Sequence, residues 1–470
     1  MNNRYKMAIW VVLGIVGLGS CSKKFLDLTP YSQVPLNQAI VDQNSMQTAV
    51  NGMYAGLRAT DFYGRSIPID GDLLADNIYI SAANSNRYLI ELTYTYIPTY
   101  GNVASTWAEA YSVILRANDI INATIPSGPT VNELVGEALT VRAFTYFELL
   151  KFFAPSYLQD STALGVPLVL KYDPLLTPPR NTVAEGYAQI QSDLIRAIGL
   201  TTEVPSSSIA SKYVAEGLLA RLYMFMGDWT DAQTAALDIV NNGGYTLTGA
   251  NNLVGYWSTP GVRTDLVETM FEVEFDITNN NSNDNLDAFY SQSGYGDALC
   301  TDNLYNTYSA TDARRSLILA GSRAGVNVWV VNKYPNTTNP GGTDNTKVLR
   351  YAEILLTLAE TYNRQGNDPM AQQYVNQVAQ ARDPSFAGYS VTGPALLDDI
   401  TLERRKEFAF EGQRYWDLVR LNQDVVRDNT TNNYLQNVPL TLQANDHRRI
   451  FPIPQAEINA NKNMKQNPGY

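Results

Sequence analysis

Apolar residues recur at helical spacing along several stretches of this chain. From Ser105 to Ala123, Trp107, Tyr111, Ile114, Leu115, Asn118 and Ile121 share one stripe, which predicts an amphipathic helix. Residues 132–153 continue with Leu134, Ala138, Val141, Phe144, Tyr146, Leu149 and Phe152, until Pro155 ends the pattern. The Pro-Ser-Gly-Pro run between them reads as a loop, so the pair forms an antiparallel hairpin. A second hairpin joins Val183–Leu200 to Ser211–Met226, and a helix over Trp229–Asn241 follows directly.

Two of these units have the length and small-residue positions of a tetratricopeptide repeat. In residues 211–241, Ala215 and Gly217 allow close helix approach, and Gly227-Asp228-Trp229 turns the chain. In residues 347–382, Ala352, Leu355, Ala359 and Tyr362 precede a Gly366-Asn367-Asp368 turn, after which Ala371 and Val375 pack back. The expected scaffold is therefore all-α, with helical repeats over about 105–241 and 347–421. Two regions break the pattern. Residues 64–102 read as loop; residues 243–345 form a long insertion rich in Gly, Asn, Thr, Ser and Tyr, with strand-like runs at Glu268–Phe275 and Val326–Tyr334. Loops this long are usually functional or disordered, and disordered segments lack aromatics. The expectation is a pair of ordered binding loops.

The first twenty residues stand apart. Arg4 and Lys6 precede an apolar run from Met7 to Leu18, too short for a membrane span of ~20 residues but sized for a signal peptide. Leu18-Gly19-Ser20-Cys21 resembles the lipobox cut by signal peptidase II, which makes Cys21 the lipidation site and 21–470 the mature chain. Ser22 to Tyr31 reads as a tether.

Composition narrows the function. The net charge is -12, and losing Arg4 and Lys6 would take it to -14, against the basic face that nucleic acid requires. Beyond Cys21 only Cys300 remains, so no intrachain disulfide framework can form. His447, the lone histidine, cannot build a His-rich metal site and leaves at most one imidazole for a nucleophile relay. No cofactor motif is present.

Half of the residues in 403–420 are charged, with Glu403, Glu407 and Glu411 on one helical face. Paired carboxylates can hydrolyse glycosides. Arg404, Arg405, Lys406 and Arg414 stand ready to pair with these, which would depress their pKa values and spoil a general acid. The expected role is structural. Asp276 to Asp287 is oxygen-rich but lacks the glycine and glutamate of an EF-hand loop, so a solvated loop is expected over an irregular ion site. The remaining signal is aromatic: Tyr79, Tyr88, Tyr100, Tyr256, Trp257, Tyr290, Tyr295, Tyr305, Tyr308, Trp329 and Tyr334 all fall in the loop regions. Rings with Asn, Asp and Arg beside them suit sugars, which present C–H faces and hydroxyl edges.

LERRKEFAFEGQRYWDLVR (402–420) and RIFPIPQAEINANKNMKQNPGY (449–470) resemble the RagB/SusD family of outer-membrane nutrient-binding lipoproteins. The start of the mature chain, from Cys21 to Pro30, and the Trp107, Tyr111, Ile114, Asn118 spacing also resemble that family. The resemblance implies one SusD-like domain over 21–470, with four tetratricopeptide-like helix pairs, a loop-built ligand face, and no chemistry. It implies a lipid anchor in the outer membrane and a SusC-like TonB-dependent barrel as partner. The ligand would be an oligosaccharide, or in some lineages a peptide; a protein-interaction scaffold is a further reading. By position in the matching loops, Asp76, Arg87, Tyr100 and Asn102, then Trp257, Tyr290, Tyr295 and Trp329, are the expected ligand residues. Ser22-Lys23-Lys24 lacks the acidic run that often marks surface export, so exposure to the exterior is implied by the partner alone.

Overall fold

The computed structural model describes residues 39–337, 342–428 and 435–470. The expected signal peptide, the expected lipidation site Cys21 and the expected tether lie outside them. The chain opens with α1 (Gln43–Leu57), capped by Asp42 and Ser45, and with α2 (Ser66–Leu73). The first hairpin follows as α3 (Gly101–Ile121) and α4 (Pro129–Phe153). Next come α5 (Val183–Leu200), opened by a Thr182–Glu185 capping box, α6 (Lys212–Met226) and α7 (Trp229–Asn242). After the insertion come α8 (Tyr351–Arg364), α9 (Asp368–Arg382), α10 (Gly393–Glu407) and α11 (Arg414–Arg420). Each helix from α3 to α9 packs on its sequence neighbour, and α7 bridges to α8, so the array is continuous across the insertion. Gly227 turns α6 into α7 at φ 74°, a left-handed conformation that other residues enter at a cost.

Most of the expected helix faces are the buried ones. On α3, Trp107, Ile114 and Asn118 are buried, but Leu115 is exposed, and Val103, Ala110, Val113 and Ala117 complete the inner face instead. On α4 nearly the whole circumference after Leu134 is buried, because α3 and α5 flank it on both sides.

The strands form three small sheets. β1 (Ile78–Ile80), β3 (Ala298–Cys300), β5 (Val326–Val331) and β4 (Ile318–Arg323) make an antiparallel sheet in the order β1-β3-β5-β4. β2 (Thr269–Val273) pairs with β6 (Thr346–Arg350), so the insertion leaves and re-enters the scaffold through one ladder. Residues 347–350, read from sequence as the start of a helix, are strand for that reason. β7 (Val425–Val426) and β8 (Thr441–Leu442) close a short hairpin near the C-terminus. Two of the expected strand runs match β2 and β5. The 64–102 region is more ordered than a loop: α2 is buried on every side and β1 is wholly buried.

A large core fills the helix array, and a second core lies under the four-stranded sheet. The second core draws on both loop regions and on Ala409 and Phe410 of the C-terminal motif. Gly71 of α2 and Gly412 make the tightest approach in this seam. A Cβ on Gly71 would sit 1.9 Å from the Gly412 carbonyl oxygen, and one on Gly412 would sit 2.6 Å from Pro68 Cα. Gly412 also has φ 75°.

Candidate functional site

The charged run at 403–420 joins the scaffold to the insertion. Glu407 meets Arg314, Arg350 and Arg382 at 3.0, 2.8 and 2.9 Å, and Glu403 meets Arg314 at 2.6 Å. Glu411 takes Lys333 and Arg350 at 2.6 and 2.7 Å. The partners are thus mainly distant arginines of the insertion and of α9, rather than the neighbouring Arg404, Arg405 and Arg414 expected from sequence; Lys406 alone bonds Glu403, at 3.0 Å. Burial alone would raise Glu407, yet Arg382, Arg350 and Arg314 hold it well below the usual carboxylate range. Such a group donates no proton near neutral pH.

Of the expected ligand residues, Asp76 belongs to this seam. It lies between Arg414, at 2.8 Å, and Arg405, at 3.5 Å; burial pushes it up, but the two cations keep it below its ordinary value. Its oxygens are occupied by the arginines. Trp257 and Tyr290 are core residues, 5% and 0% exposed. Tyr334 stacks on Tyr290 with centroids 5.9 Å apart and meets Trp257 edge-on at 5.8 Å, and Lys333 sits 4.4 Å over the Trp257 ring. Both rings lie on short helices, Leu253–Ser258 and Leu286–Tyr290, that plug the second core. Neither offers a face to a ligand in this arrangement, which corrects the expectation for these two.

The other expected residues are half-buried and fall into three groups. Arg87 stacks on Tyr295, its guanidinium carbon 3.7 Å from the ring centroid, and donates from Nη2 to the Tyr295 hydroxyl at 2.8 Å. Trp329 stacks on Tyr305 with centroids 3.5 Å apart and planes 16° from parallel. Trp329 Nε1 donates to Asp302 at 2.8 Å, and Arg315 Nε donates to the Tyr305 hydroxyl at 2.8 Å. Tyr295 and Trp329 both pack against the second core from its outer side. The third group centres on buried Glu91, which accepts from Tyr100 at 2.9 Å and from Asn102 at 2.8 Å. Burial raises Glu91 above its ordinary value, and the two donors pull it back.

The two loop regions meet through polar ties as well as through β1 and β3. Arg323 of β4 donates to Asp297 at 2.9 Å and to the Ala83 carbonyl at 2.8 Å, while the Ser85 N–H donates to Asp297. Arg65 bonds Asp284 at 2.6 Å. Glu91, Asp302, Arg315, Asp297 and Arg323 were not singled out from sequence: Glu91 and Arg315 act through tyrosine hydroxyls 9 and 10 residues away with no motif to mark them, while Asp297 and Arg323 meet backbone 212 and 240 residues away. The Asp276 carboxylate is engaged by its own turn, accepting from the Thr278 and Asn279 N–H groups at 2.6 and 2.8 Å. Among the described residues no group of three or more His, Cys, Asp or Glu side chains could hold a metal ion. None of the described helices is long and apolar enough to cross a membrane.

A fold of paired helices carrying a sheet-backed aromatic face is that of the SusD superfamily. The chain belongs to the SusD family: a model described as "SusD family" matches residues 305–470, and one described as "Starch-binding associating with outer membrane" matches residues 24–224. The chain is 27% identical to SusD-like protein P2 of Formosa agariphila, covering 99% of this chain and 100% of the relative. It is 34% identical to the starch-binding protein SusD of Bacteroides thetaiotaomicron over 29% of this chain and 22% of that protein. The crystal structure of a SusD superfamily protein from Bacteroides vulgatus superposes with a TM-score of 0.84 at 27% identity, covering 92% of this chain and all of that one.

Proposed function

We propose that this protein is an outer-membrane lipoprotein, anchored through Cys21 and facing the cell exterior, that captures oligosaccharides and delivers them to a SusC-like TonB-dependent transporter. The observation that carries this reading is a pair of stacks, Arg87 on half-buried Tyr295 and half-buried Trp329 on buried Tyr305, with Arg315 at the Tyr305 hydroxyl. Flat rings take the C–H faces of sugars, and the arginine and carboxylate edges take the hydroxyls. The starch-binding relative and the outer-membrane family description support the ligand class and the location. Two or three acyl chains at Cys21 would hold the protein stably at a membrane. The protein binds without chemistry in this reading, and the clustered Glu403, Glu407 and Glu411 are buried in ion pairs.

The partner half of the reading is tested by isolating the tagged lipoprotein from outer membranes of its own cells in mild detergent. A TonB-dependent barrel that co-purifies in a fixed ratio supports it. A lipoprotein that comes out alone at every detergent concentration overturns it. Should the ligand prove to be a peptide, the architecture stands and the substrate class changes.

A further inference from the structure

Between the C-terminal motif and the helix array lies a small cavity of about 40 Å³. Its wall includes Lys151 of α4, Arg221 of α6, Arg404 of α10, and Gln413 and Trp416 at α11. Carboxylates line it too, but their oxygens are filled. Glu353 accepts from Arg221 at 2.7 Å on both oxygens and from Gln413 at 3.1 Å. Asp417 accepts from Arg404 at 3.1 Å and from Arg420 at 2.8 Å. Glu411 is held by Lys333 and Arg350.

The donors are not filled. Trp416 is 4% exposed, and its indole Nε1 has no hydrogen-bond partner among the described residues. Among the described residues Arg404 bonds Asp417 through Nε alone, which leaves its two terminal amino groups. Arg221 uses Nε and Nη2, leaving Nη1. Lys151 has one carboxylate partner, Glu148 at 2.8 Å, for three N–H groups. Among the described residues, Glu148, the partner of Lys151, keeps its second oxygen without a hydrogen bond. A buried donor left without an acceptor costs about 1–3 kcal/mol, so a wall with this surplus favours an occupant that only accepts.

We propose that this cavity binds a single monovalent anion of chloride size. A space of about 40 Å³ is enough to hold an ion of this size. The anion accepts from Trp416 Nε1 and faces the free N–H groups of Arg404, Arg221 and Lys151. It thereby ties the C-terminal motif to α4 and α6.

Two measurements on the full chain test this. Crystals soaked in bromide should show an anomalous peak beside Trp416 Nε1. Replacing gluconate by chloride at constant ionic strength should raise Tm by about 1–2 °C in a saturable way. Trp416→Phe keeps a ring and removes the donor, so the chloride dependence should shrink at least tenfold in apparent affinity. If Trp416→Phe does not fold, the bromide map of the unaltered chain decides. Bromide only at the surface, with a Tm indifferent to the anion, means that the cavity holds water and overturns the proposal.

Discussion

Trp257 and Trp329 carry the same side chain in the same insertion and have opposite roles. Trp257 is enclosed by Tyr256, Tyr334 and Lys333, so Trp257→Ala should cost about 3–5 kcal/mol of stability in denaturant unfolding. Trp329 has one face on Tyr305 and is only half-buried. Trp329→Ala should lower stability by no more than about 1 kcal/mol, the worth of an aromatic pair, while weakening sugar binding tenfold or more. Gly412 gives a third residue-scale test. Its positive φ and its contact with Pro68 leave no room for a methyl, and Gly412→Ala should destabilise by about 2–4 kcal/mol. An unchanged melting curve for Gly412→Ala would show that the seam can open. Sequence could list the loop aromatics but not sort them. Burial of Trp257 and Tyr290 comes from helices of five or six residues, too short to show a period. The glycine in Phe-Glu-Gly was legible as a motif, whereas its reason, α2 pressed against it, was not.

Among the elements, the helix pairs were the most legible, because 15 to 25 residues of apolar periodicity outvote local exceptions such as Leu115. α2 escaped notice because it is buried all round and contains proline and glycine, so no polar face marks it. The ion pairs of α10 and α11 set the acid response. Burial raises Asp417, but Arg404 and Arg420 bring it down to about 2. Its folded pKa lies below the unfolded value of ~3.9, so its contribution is full above about pH 5 and is lost as pH falls toward 2. Tm should therefore drop over that window. Asp417→Asn should flatten this acid limb and cost about 3–5 kcal/mol at pH 7, since two buried arginines lose their partner. An acid limb of unchanged steepness in that variant would assign the effect to other carboxylates.

At the scale of the molecule, the insertion and the early loop behave as one body on the scaffold. β1 pairs with β3, Arg323 reaches the Ala83 carbonyl and Arg65 reaches Asp284 across the loops, and Glu407 gathers arginines from both sides of the β2–β6 ladder. Amides of Ile78–Ile80 and Ala298–Cys300 should accordingly share one hydrogen-exchange protection level, well above that of an exposed loop. Early loss of protection in one strand alone would mean that the face is two independent parts. This assembly was not readable from the chain, since the β1–β3 pairing joins residues far apart, Arg323 reaches the Ala83 carbonyl across 240 residues and Arg65 reaches Asp284 across 219.

The central claim is that the rings at Tyr295 and Trp329 hold a sugar. The most direct measurement is calorimetric titration of the chain from Ser22 onward with a panel of oligosaccharides and peptides, in unaltered, Tyr295→Ala and Trp329→Ala forms. Mass spectrometry of each mixture then checks the ligand for cleavage. Saturable binding of an intact oligosaccharide is expected in the micromolar to millimolar range, about -4 to -8 kcal/mol, lost or weakened tenfold in both variants. Equal binding by all three forms, peptide binding alone, or a cleaved sugar would contradict it.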